Sequence, residues 1–148
     1  MASVQKRPDG RWRARYRDAA GREHARHFSR KGEAQRWLDE VTASLVTGTY
    51  VDPKEARTTF DSYYRSWAAR QVWAPMTEVQ ADLVRRTVTF GDIPLARLRR
   101  SHLESWVKKM VADGYAPNTV ITRMGTVRAA LRAAVGDRVI PADPSVGV

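Results

Sequence analysis

The stretch Arg11 to Asp18 reads RWRARYRD, with Arg at 11, 13, 15 and 17 and Trp12, Ala14 and Tyr16 between them. A helix would scatter this pattern around its circumference. In a strand successive side chains point to opposite faces, so four guanidinium groups share one face and Trp, Ala and Tyr the other. One face is built for burial and the other to meet something negative. A single strand cannot bury a face alone, and turn signals supply it with neighbours. Pro8-Asp9-Gly10 precedes it, which makes residues 3–7 a first strand, and Asp18-Ala-Ala-Gly21 returns the chain into a third strand over 22–28. The expected unit is a three-stranded antiparallel sheet.

The apolar face then needs cover. Ser29 can cap a helix running to about Thr47, with Ala34, Trp37, Leu38, Val41 and Leu45 at helical spacing and Gly48 as its stop. The third strand fits less simply, because strict alternation puts His24 and Arg26 on the side of Phe28. A bulge near the turn, or a short strand, would reset the phase. Residues 1–48 are thus expected to form an α+β domain, a three-stranded antiparallel sheet plus one helix, with the Arg face in solvent. Residues 49–57, with Asp52-Pro53, read as a linker. From 58 to 148 the pattern is helical. Phe60, Tyr63, Tyr64 and Trp67 mark one helix; Thr77-x-x-Gln80 resembles a capping box for a second carrying Val79 and Leu83. Ser101-His-Leu-Glu104 is a box for a third, with Leu103, Trp106, Val107, Met110 and Val111 as its stripe and Gly114 as its stop. Pro117-Asn118 opens a fourth ending near Gly136. The second domain is expected to be an all-α four-helix unit.

Charge narrows the partner. Residues 1–31 carry ten Lys and Arg against Asp9, Asp18 and Glu23, so +7 of the formal +10 lies in the first fifth of the chain. A polyanion is the natural ligand of such a field. Charge on an edge strand also discourages aggregation, but a mixture of Lys, Glu and Arg would serve that end. Four like charges about 7 Å apart make better sense with phosphates present. Of 26 basic residues 21 are Arg, the residue suited to bidentate phosphate contact. Cysteine is absent, which removes disulfides, thiolate metal sites and cysteine nucleophiles. No apolar run has the ~20 residues of a membrane span and the N-terminus lacks a hydrophobic signal segment, so a cytoplasmic protein without a membrane partner is expected.

On the fourth helix of the second domain Val120, Met124, Val127, Leu131 and Val135 form the core stripe. Nearly opposite lie Thr122, Gly125, Thr126, Ala129 and Ala133, flanked by Arg123 on one side and Arg128 and Arg132 on the other. Either another helix packs on this uncharged face, or small side chains let the helix approach a DNA groove where Thr and Ala touch base edges and Arg reaches phosphate.

Together, in this order, the motifs resemble the N-terminal half of a phage-type tyrosine recombinase, or integrase. The matching pieces are G-R-W-R-A-R-Y-R-D with Gly21, F-S-R-K-G-E-A-Q-R-W-L from 28, G-x-Y-x-D-P from 48 and T-F-x-x-Y-x-x-x-W from 59. F-G-D-I-P-L-x-x-L from 90, P-N-T-V-x-x-R-x-x-x-V-R-A-A-L from 117 and I-P-A-D-P from 140 follow. The resemblance implies an arm-type DNA-binding domain followed by a helical, SAM-like core-binding domain, hence sequence-specific binding of double-stranded DNA at arm-type and core-type attachment sites. It implies further integrase protomers as partners, in a bacterial host cell. The residues expected at DNA contacts are Arg11, Arg13, Arg15, Arg17, Arg22 and Arg26 in the first domain. In the second they are Asn118, Thr119, Thr122, Arg123, Thr126, Arg128 and Arg132.

In that family the catalytic domain begins after the I-P-A-D-P segment, so the resemblance places the Tyr nucleophile and the Arg, His and Lys cluster downstream of Val148 and assigns no catalytic residue here. His27-Phe-Ser-Arg30 has the family's H-x-x-R spacing but sits at a strand end. The five Tyr fit core, linker or helix-stop positions. His24 and His27 would point to opposite faces of a strand, which argues against a shared metal. No Gly-rich phosphate loop or paired carboxylates stand out, so neither cofactor, metal nor small-molecule substrate is expected. The rival reading is a stand-alone DNA-binding regulator of recombination or transcription.

Overall fold

The computed structural model describes residues 2–148; Met1, the first residue of the expected first domain, lies outside the described residues. The chain divides into two compact units, one ending at Tyr50 and one running from Val51 to Val148.

In the first unit the turn signals produce the strands that the alternation asked for: β1 (Ser3–Lys6), β2 (Trp12–Arg17) and β3 (Glu23–Phe28), antiparallel in the order β1-β2-β3. Gly10 and Gly21 stand at φ 85 and 81, the left-handed region that both hairpin turns require. In the second turn Asp18 Oδ1 accepts from the Ala20 and Arg22 amides at 2.9 and 3.0 Å. The third strand needs no bulge. Trp12 lies opposite Phe28, Ala14 opposite Arg26 and Tyr16 opposite His24, in unbroken register. His24 is accommodated on the apolar side because its ring stacks on Tyr16 at 4.9 Å and its Nε2 meets Asp18 Oδ2 at 2.9 Å. That bond to His24, chiefly, holds the Asp18 carboxyl below the usual carboxylate range. Arg26 lays its guanidinium over Phe28, 5.1 Å from the ring centroid.

Helix α1 (Lys31–Thr47) covers this face. Ala14 and Ala34 are fully buried, and Trp37 meets Tyr16 and Phe28 at 5.4 and 5.6 Å between ring centroids. The helix starts later than expected: Arg30, not Ser29, occupies the N-cap position, with no side-chain cap. Its end is as read, with Gly48 in the left-handed conformation donating to the Ser44 carbonyl.

The second unit opens with a one-turn helix α2 (Pro53–Ala56), capped by Asp52 accepting from the Lys54 amide at 2.8 Å, where the sequence suggested a plain linker. Four longer helices follow: α3 (Phe60–Ala69), α4 (Pro75–Thr87), α5 (Arg100–Ala112) and α6 (Pro117–Gly136). Two expected capping boxes are displaced. Proline fits the first helical turn without losing a hydrogen bond, so α4 begins at Pro75, and Thr77 and Gln80 fall inside it. In α5 the His102 Nδ1 accepts from the Arg99 amide at 2.9 Å, while Glu104 pairs with Arg100 at 3.0 Å.

The core is one aromatic-rich cluster. Phe60 meets Phe90 edge-on at 4.8 Å, Phe90 meets Trp106 at 5.7 Å, and Trp106 Nε1 donates to the Thr87 carbonyl at 3.2 Å. The F-G-D-I-P-L segment returns onto the start of α3, with Phe60 and Leu95 amides donating to Ile93 and Thr58 carbonyls. Helix α6 buries Val120, Met124, Val127 and Leu131 as read, adding Ala130 and Ala134, while Val135 is only half-buried. Val79 and Val111, expected inside, are exposed, and Ala81 and Val84 carry the buried side of α4. Rotating the α4 stripe in this way turns Thr77 and Gln80 outward.

Two tyrosines tie helices through their hydroxyls. Tyr63 donates to Asp137 Oδ2 and Tyr64 to the Ala81 carbonyl, each at 2.7 Å. Burial, reinforced by an acidic neighbour, pushes both hydroxyls up to about 12. Because the folded state holds these protons more tightly than the unfolded chain, whose tyrosines ionise near 10, their stabilisation is complete below about pH 10 and is lost as pH rises towards about 12. Thermal melts between pH 9 and 12 should show that decline, and Tyr63→Phe with Tyr64→Phe should flatten it; an equally steep decline in the double variant would refute the assignment.

Candidate nucleic-acid interface

In the first unit the surface opposite α1 is polar. The register brings Ser3 and Gln5 of β1 beside Arg15 and Arg13, and His27 of β3 beside Arg13. The arginines on this face are held differently. Arg15 Nε donates to Ser3 Oγ at 3.3 Å and its Nη1 lies 3.6 Å from Glu23. Arg17 Nη1 donates to the Gly21 carbonyl at 2.9 Å, bracing the β2-β3 turn. Arg13 Nε is shut off from solvent with no partner among the described residues. Arg7 Nη1 reaches His27 Nε2 at 3.2 Å, adding a further cation beside the face. Arg11 is exposed at its margin.

Arg22 and Arg26 do not join the group. Arg22 pairs with Asp18 at 3.4 Å in the turn, and Arg26 belongs to the side of the sheet that α1 covers. The alternation of β2 showed which of its own residues face together, but Ser3, Gln5 and His27 became visible only through strand register.

In the second unit a groove of about 740 Å³ lies between α4 and α6. Asn118, Thr119, Thr122, Arg123 and Thr126, all expected at a DNA contact, line it, together with Gly125 and Ala129. The small-residue side of α6 is therefore open, with Thr122, Gly125 and Ala129 exposed. No helix of the described residues packs over it. Across the groove stand Met76, Thr77 and Gln80 of α4, with Trp67, Trp73 and Val84 also contributing. Sequence reading missed the α4 wall because Thr77 and Gln80 fit a cap so well; the Pro75 two residues earlier was the signal that they lay within the helix.

Arg128 and Arg132 lie away from this groove. Arg128 donates from Nη2 to the Val148 carbonyl, and the exposed Arg132 is absent from the lining. Arg100 likewise donates to the Gly147 carbonyl at 2.7 Å, so these two arginines hold the last residues against the unit. No helix of the described residues is long and apolar enough to cross a membrane.

Comparison with known proteins accords with this geometry. Residues 2–47 match the family model of the phage integrase N-terminal domain. Among solved structures, the chain is similar to a lambda integrase dimer bound to a COC' core site, at 16% identity and a TM-score of 0.54, and to a lambda integrase tetramer bound to a Holliday junction, at 18% identity and a TM-score of 0.51. In both cases 98% of this chain is covered, and it spans 44% of the length of the other. No curated protein matches it in sequence. Residues 2–47 thus match the phage integrase N-terminal domain, and the chain shares its fold with the part of lambda integrase that it covers.

Proposed function

We propose that the chain binds double-stranded DNA at attachment sites, as the N-terminal part of a site-specific tyrosine recombinase acting with further protomers. The Arg face of the first unit takes arm-type sites, and the α4–α6 groove of the second takes core-type sites. The observation that carries this reading is the sheet face of Arg13, Arg15 and Arg17, left open opposite α1 in the segment that matches the integrase family. A strand ribbon fits the major groove, where arginine can pair with guanine edges or with flanking phosphates. The groove of the second unit has the complementary chemistry, amides and hydroxyls for base edges with few charges. Separate titrations against arm and core duplexes at several salt concentrations test this. Affinity for both should fall steeply with salt, and binding that is indifferent to salt would overturn the proposal.

The groove reading makes its own demand. Ala129→Glu or Thr122→Glu should leave the melting temperature nearly unchanged, because both positions are exposed, yet weaken core binding by setting a carboxylate against phosphate. Unchanged core affinity would remove this face of α6 from the interface.

We assign the phosphoryl chemistry to a segment outside these residues. None of the tyrosines resembles an activated nucleophile: Tyr63 and Tyr64 are harder to ionise than usual, Tyr16 and Tyr50 share a hydrogen bond of 2.8 Å, and Tyr115 stacks beneath Arg123. The 148-residue chain should therefore bind a nicked core site without covalent attachment. A trapped protein–DNA adduct would contradict this.

A further inference from the structure

Arg123 is the one charged residue among the described residues lining the α4–α6 groove. Its guanidinium carbon stands 4.3 Å from the centroid of the Tyr115 ring. Tyr115 lies in the short connection between α5 and α6, where its amide donates to the Met110 carbonyl at 3.2 Å and follows Gly114 in the left-handed region, φ 88. The ring is thereby tied to the end of α5 and forms a platform under the guanidinium. Arg123 Nη1 is shut off from solvent and has no acceptor among the described residues. A buried N–H without an acceptor is costly, so a shift of the side chain that brings this nitrogen to an incoming acceptor is favoured.

Stacking occupies a face of the guanidinium and keeps its donors in one plane. A plane of donors selects a planar pair of acceptors, which in DNA means either the O6 and N7 of guanine or two oxygens of a phosphate. The surroundings distinguish the two. Surfaces that follow phosphates gather several cations, whereas Arg123 has Gln80, Asn118 and Thr122 around the groove, the amides and hydroxyls that address base edges.

We propose that Arg123 is a specificity-determining residue that reads a guanine in core-type DNA, and that Tyr115 is the positioning residue that fixes its guanidinium plane. This rests on the reading of the groove as the core-DNA site. The experiment is selection of bound duplexes from a randomised DNA library by the full chain, repeated with Arg123→Ala, Tyr115→Ala and Tyr115→Phe. The wild-type pool should hold one guanine that the Arg123→Ala pool loses while the other positions keep their preferences. Replacing that base by 7-deazaguanine should weaken wild-type binding about tenfold and leave Arg123→Ala binding unchanged. Tyr115→Phe, which keeps the ring, should retain the guanine, and Tyr115→Ala should relax it with an unchanged melting temperature. An Arg123→Ala pool with the wild-type consensus, uniformly weaker and with a salt slope shallower by about one, would show a phosphate contact and overturn the proposal. A guanine preference retained in Tyr115→Ala would remove Tyr115 from its role. Failure of the wild-type chain to retain any duplex would sink the DNA reading itself, a result distinct from a lost guanine.

Discussion

Replacing Arg13, Arg15 and Arg17 together with alanine is expected to abolish measurable binding to arm-type DNA at physiological salt while leaving the first unit folded. Each phosphate contact removed should make the salt slope shallower by about 0.9, and each base contact removed should cost about 1–3 kcal/mol. Three base-contact losses amount to a factor of roughly a hundred or more where the contacts are independent. Stability should change little, because the side chains project from the face opposite α1 while the buried Ala14 and Tyr16 remain. The Arg15–Glu23 pair is partly exposed and Arg17 bonds a turn carbonyl, interactions of the kind that contribute about 1 kcal/mol or less. Arm-duplex titration beside thermal unfolding decides the matter. Arm affinity in the triple variant equal to that of the parent would remove the sheet from the interface.

Trp106→Ala should produce the largest loss of stability in the second unit. The side chain is 1% exposed, packs against Phe90 and donates to the Thr87 carbonyl, thereby joining α5 to the end of α4 and to the segment that follows it. Truncating a buried tryptophan costs about 3–5 kcal/mol, and the Thr87 carbonyl loses its donor as well. For a unit of this size that corresponds to a fall in melting temperature on the order of 20 °C. The α4–α6 groove depends on that packing, so core-DNA binding should fail near the lowered transition. Trp106→Phe keeps most of the volume and should lose much less. A shift of only a few degrees in Trp106→Ala would mean that the aromatic cluster is not what holds the unit together.

How far the candidate sites could be read depended on whether the information was local. Arg13, Arg15 and Arg17 were legible because a period of two settles which side of a strand a residue takes. Arg22 and Arg26 lie off that face for a reason that is also local: one pairs with the carboxylate of its own turn, and the other follows strict alternation to the covered side. The apparent need for a bulge in β3 came from treating His24 as unfit for the apolar face. A histidine with an aspartate at 2.9 Å and a tyrosine ring to stack on is a satisfied polar group, and neither partner adjoins it in sequence. Arg128 and Arg132 had suitable positions on α6, but the contact of Arg128 with the end of the chain follows from how residues 137–148 fold back.

By itself the sequence determined the elements and their faces: the three strands, the helix that covers them, the core stripes of α3 and α6 and the Arg-bearing side of β2. These follow from short-range periodicity and from residues such as glycine that permit a particular backbone angle. Only the tertiary structure decided that the uncharged side of α6 stays open, that Thr77 and Gln80 of α4 stand across a groove from it, and that Tyr115 carries Arg123. The first two result from packing between segments far apart in the chain, and the third from the turn that joins α5 to α6. An amphipathic helix specifies which of its sides is buried, but which neighbour covers it, and what gap is left between them, is set by the volumes of side chains that meet only once the chain has folded.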